Sequence, residues 1–166
     1  MKEIERKNII WRTCFSSISN SGYKLDILKS GIQKYLRRRE YDKMSWCLSE
    51  IYLFYVLAVT DIEKQLTKGI ITNMLNRLII AMDEEMLFIE VDKYIKCMEW
   101  INEFKNNNNN FKLLVKICKT LIGSKILRLN SDIYSYWWKG VEIYKVVQIN
   151  REYVFKDYED VLNCKD

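Results

Sequence analysis

The sequence predicts an all-α fold, a single compact bundle of about six to eight helices, and three observations carry that prediction. Apolar residues recur mainly at spacings of three and four, the period of a helix face. There is no proline and there are only five glycines in 166 residues, so little interrupts such a period. The composition is 49% apolar and 30% charged, enough greasy surface for one core and far from the disordered corner.

Taken in order, residues 2–17 read as a first helix, closed by the polar turn-forming stretch Ser16 to Gly22. Residues 25–39 form a second, with Ile27, Leu28, Ile32, Tyr35 and Leu36 on one side and Lys29, Gln33, Lys34, Arg37 and Arg38 largely on the other. A third, residues 42–59, is apolar on more than one face and belongs in the middle of the core. Residues 68–87 carry a continuous stripe from Ile70 to Met82, and residues 88–104 repeat the pattern through Ile95, Met98 and Ile101. Five successive asparagines, Asn106 to Asn110, mark a loop, because each side chain competes for backbone hydrogen bonds. Residues 111–122 make a short helix ended at Gly123. Residues 129–149 are one helix or two, broken at Gly140, and residues 151–162 could close the bundle. The β-branched run Val141, Ile143, Val146, Val147 and Ile149 leaves short strands near the C-terminus as the alternative. No fixed-period repeat or Gly/Ser/Pro-rich linker divides the chain, so residues 1–166 read as one domain.

Composition excludes several function classes. The chain has no histidine, which rules out serine–histidine triads, cysteine–histidine dyads and histidine-bearing zinc sites. Its five cysteines are odd in number and include no CxxC pair, the pattern of reduced thiols in an intracellular protein, cytoplasmic or nuclear. The charged N-terminus resembles no secretory signal, and the longest apolar run, Ile51 to Val59, is far short of the ~20 residues of a membrane span. The fragment Gly123-Ser124-Lys125 lacks the first glycine of a phosphate-binding loop, and Asp83, Glu84 and Glu85 point in different directions on a helix, which disfavours a magnesium site. The expectation is a non-enzyme with no cofactor, no metal and no small-molecule substrate.

Charge is what remains. Lysines and arginines number 27 against 22 acids, a net +5, and they are segregated along the chain. Lys34, Arg37, Arg38 and Arg39 end the second helix, where cations also meet the negative end of the helix dipole. Lys112, Lys116 and Lys119 fall at i, i+4 and i+7, and Lys125 and Arg128 extend that stripe with no acid between residues 111 and 128. The bland reading is a solvated face with helix capping; the functional one is a phosphate-contacting surface for nucleic acid. Tyr134, Trp137 and Trp138 are the candidates for a protein interface.

Three segments carry a family resemblance: YKLDILKSGIQKYLRR at residues 23–38, MSWCLSE at 44–50 and TNMLNRLIIAMDEE at 72–85. In this order they resemble the C-terminal helical region of the RarA/MgsA clamp-loader-related AAA+ ATPases. CKTLIGSKILRLNSDI at residues 118–133 resembles its continuation in stand-alone relatives from large DNA viruses, while residues 134–166 are an unmatched extension. Arg39 replaces the glycine that usually follows the arginine pair. The resemblance implies a collar that assembles subunits near DNA replication, recombination or repair, without the ATPase itself. It also implies that Lys34, Arg37, Arg38 and Arg77 serve a shared surface or pair with Asp83 to Glu85. Two partner classes follow, DNA, and a protein that is a second copy or a replication or repair factor; the alternative function is a structural, virion-associated interaction module.

Overall fold

The computed structural model describes residues 8–87, 89–106 and 110–125. Within them are five helices: α1 (Leu25–Arg37), α2 (Tyr41–Leu57), α3 (Asp61–Glu85), α4 (Val91–Asn106) and α5 (Phe111–Ile122). The all-α class holds there, with a lower count than six to eight. Residues 129–149 and 151–162, including the strand alternative, lie outside the described residues.

The first expected helix is corrected. Where residues 8–17 are described, the chain instead runs as an arm with an isolated antiparallel bridge between Ile10 and Ile18, and a second joins Ile18 to Lys24. Hydroxyls explain the difference. Thr13 Oγ1 accepts from the Phe15 and Ser16 amides, and Ser17 Oγ accepts from the Arg12 amide. These local bonds take the donors a helix would use. The arm turns back through Gly22, whose φ of 85° is the left-handed conformation that glycine adopts without strain. It is pinned to α2 by Glu50, a buried carboxylate that accepts from the Ser21 amide at 3.1 Å and the Ser21 hydroxyl at 2.8 Å.

The third helix of the bundle starts at Asp61 rather than residue 68. Thr60 accepts from the Glu63 amide while the Glu63 carboxylate accepts from the Val59 and Thr60 amides, a capping box that turns the chain into α3 two turns earlier. Helix α4 starts at Val91 rather than residue 88. Helix α2 is central, packed against α1, α3 and α5, with Met44, Cys47, Leu48, Ile51 and Phe54 buried. Helices α4 and α5 form a hairpin whose apolar faces, Cys97, Ile101 and Phe104 against Leu113, Leu114, Ile117 and Leu121, complete the core. Each such side chain contributes about 1.5–3 kcal/mol by leaving water. Close approach of α1 and α2 needs Gly31, where a Cβ would meet Cys47 Sγ at 2.8 Å. Among the described residues, no helix is long and apolar enough to cross a membrane.

Candidate nucleic-acid interface

Helix α1 ends in a Schellman motif. The Glu40 amide donates back to the Tyr35 carbonyl at 2.9 Å and the Arg39 amide to the Leu36 carbonyl at 3.0 Å, which places Arg39 at the left-handed position with φ of 57°. A side chain there costs about 1–2 kcal/mol relative to the right-handed form, and glycine is the usual occupant. The Arg39 side chain, however, reaches across the bundle and donates from Nη1 to the Ile122 carbonyl at 3.3 Å. Ile122 is the last residue of α5, so the guanidinium meets the negative end of that helix. Two basic segments eighty residues apart in sequence are thereby brought to the same end of the molecule.

The four cations at the end of α1 do different things. Arg37 turns inward to α3, with Nε 2.5 Å from Glu85 Oε1 and Nη2 2.9 Å from Glu84 Oε2. Gln33 supports the same cluster, donating to Glu84 at 2.8 Å and accepting from Arg77 at 3.4 Å. Arg37 is thus held in an ion pair between α1 and α3, one of the two roles that the resemblance left open for it. Lys34 and Arg38 are exposed and line an open recess of about 350 Å³ beside Tyr35 and Asp26. Lys43 adds a further cation there, with its ammonium 5.6 Å from the Tyr35 ring centre and 2.5 Å from Glu40.

On α5 the expected stripe is real as a surface feature. Lys112, Lys116 and Lys119 are all exposed along one side, with Lys125 exposed just beyond the helix end, while the opposite side is core. The hairpin closes at this end through Glu90, which forms an ion pair with Lys93 at 2.6 Å. That ammonium, with hydrogen bonds from the Lys125 backbone and the Ser124 hydroxyl, holds the Glu90 carboxyl below its ordinary value. Glu90 is therefore engaged within the hairpin end, as Glu84 and Glu85 are by Arg37. Asp83 is held by Tyr94, whose hydroxyl donates to it at 2.7 Å and whose own pKa is pushed up to about 12 by that bond and by burial.

Two features were missed in the sequence. Trp100 of α4 is partly exposed, with the Lys96 ammonium 5.5 Å and the Lys116 ammonium 5.8 Å from its ring centre. The Lys96–Trp100 spacing of four is a helical neighbour pair and was readable; the Lys116 contact depends on how α5 lies on α4. The second is a groove of about 540 Å³ between α2 and α3, lined by Tyr52, Tyr55, Val56, Lys64, Thr67 and Ile71. Arg128, Tyr134, Trp137 and Trp138 lie outside the described residues.

Among the described residues, the three buried thiols do not assemble a reactive site. Burial pushes Cys47 and Cys97 up to about 11 and Cys118 up to about 12, which keeps them protonated near neutral pH. Among the described residues no three cysteine, aspartate or glutamate side chains converge in a way that could hold a metal ion. No known protein family, curated protein or solved structure matches this chain.

Proposed function

We propose that the chain is a non-enzymatic helical scaffold that holds nucleic acid through its basic end, inside a cell and in the setting of DNA replication, recombination or repair. The Arg39 bond to the Ile122 carbonyl is the observation that carries this reading. It brings the end of α1, with Lys34 and Arg38, to the end of α5, with Lys119 and Lys125. The nearby acids Glu84, Glu85 and Glu90 are meanwhile drawn into internal pairs with Arg37 and Lys93. Cations so placed neutralise phosphates and release counterions. The left-handed backbone of Arg39 supports the same reading, since an arginine stands where glycine would be easier and its side chain is the one that reaches the Ile122 carbonyl. The replication setting comes from the resemblance of residues 23–133.

The test is fluorescence anisotropy of a labelled 30-nucleotide DNA across a salt series. Binding should weaken steeply with salt, and replacing Lys112, Lys116 and Lys119 together by glutamate should reduce the log–log slope by roughly 2–3, one phosphate per cation. Absence of binding at low salt overturns the proposal. If the chain then forms concentration-dependent oligomers that Trp138→Ala abolishes, the assembly-module alternative takes its place.

A further inference from the structure

We infer that Trp100, flanked by Lys96 and Lys116, is a stacking platform for an unpaired base, which makes single-stranded nucleic acid the ligand class of the basic surface. This rests on the proposed function and adds the kind of strand. The inner part of the indole packs against the core and fixes its orientation, while the remainder reaches solvent. Two ammonium groups from two different helices lie over its ring, 5.5 and 5.8 Å from the ring centre. On flexible four-carbon stems these ammonium groups can leave the ring for a nucleotide's phosphates, while its base, a flat π-system, takes the ring face they cover in the free protein. Lys112 continues the cation row one turn before Lys116, and Lys119 continues it one turn after, so the backbone of a strand has somewhere to go.

A duplex keeps its bases stacked on each other, and offering one to an indole costs unstacking energy; a single strand has that face free. A membrane surface fits less well. The apolar face of α5 is largely committed to the core, with Leu114, Ile117 and Cys118 at 0% exposure and Phe111, Val115 and Ile122 half-buried, so that helix leaves little to enter the acyl region. Trp46, the exposed tryptophan among the described residues, has its ring met edge to face by Tyr23 at 5.3 Å.

Anisotropy titrations of the full chain with a labelled 20-mer of oligothymidine, with a 20-base-pair duplex and with phosphatidylserine-containing vesicles separate the outcomes. Trp100→Leu, which keeps an apolar contact with the core, should weaken oligothymidine binding roughly tenfold or more, while Trp100→Phe largely retains it. Neither substitution should alter the salt slope or the duplex affinity, a split that a merely structural tryptophan would not produce. Circular dichroism melts confirm that both variants fold. Equal affinity for single strand and duplex, with no effect of Trp100→Leu and a persistent salt slope, overturns the stacking role and leaves the proposed function standing. No binding to either nucleic acid, or vesicle binding as tight as oligothymidine binding, overturns both.

Discussion

Replacing Arg37 by alanine tests whether this cation belongs to the fold or to the ligand. Its guanidinium holds Glu85, whose side chain is 2% exposed, and Glu84 at 30%. Breaking a fully buried pair by removing one partner costs about 3–5 kcal/mol, because a charge remains in the interior without its counter-charge. Arg37 is itself 32% exposed, so water screens part of this interaction, and the expected loss is about 2–3 kcal/mol. In a chain of this size that corresponds to a fall in Tm of roughly 5–10 °C. Urea unfolding of Arg37→Ala, Glu85→Gln and the double variant gives the coupling, expected at about 1–2 kcal/mol because the neutral amide no longer needs the guanidinium. The salt slope of DNA binding should stay at the wild-type value. A stability loss under about 0.5 kcal/mol, or the same loss in the Glu85→Gln background, would refute the assignment of Arg37 to the ion pair with Glu85.

Arg39→Gly relieves the left-handed strain of about 1–2 kcal/mol but gives up the bond to the Ile122 carbonyl; unfolding should show equal or slightly higher stability alongside weaker DNA binding. Gly31→Ala places a Cβ 2.8 Å from Cys47 Sγ, and urea titration should show a loss of about 1–3 kcal/mol, largely recovered in Gly31→Ala/Cys47→Ala, where the sulfur is gone. The buried thiols make stability fall in alkali. Their folded values of about 11, 11 and 12 exceed the ordinary 9.0, so the unfolded chain ionises first, and the urea midpoint should hold up to about pH 9 and decline from there toward pH 12. A midpoint that is flat over that range in wild type, or that declines equally after Cys97→Ala and Cys118→Ala, would contradict this.

The bundle was legible where periodicity is strong and the element's own residues decide the outcome. Residues 25–39, 42–59 and 111–122 were placed to within two residues at each end, since a continuous apolar stripe leaves few alternatives. The N-terminal arm was not, because the apolar spacing before Cys14 was outvoted by the Thr13, Ser16 and Ser17 hydroxyls, whose short-range bonds periodicity does not register. The start of α3 was readable and was missed: Thr60 followed at three residues by Glu63 is a helix-start signal in the sequence itself.

Charge pattern and helix faces were therefore inherent in the chain: which side of α5 is basic follows from spacing alone, because a helix repeats every 3.6 residues whatever surrounds it. What those charges do is a matter of neighbours far away in sequence. Packing of α1 on α3 spends Arg37 on Glu84 and Glu85, and packing of α2 against α5 carries Arg39 to the Ile122 carbonyl. The fold of the hairpin sets Lys116 beside Trp100. A local pattern specifies a face, but an ion pair or a stacked cation needs both partners within a few ångströms, and only the assembled core brings them there.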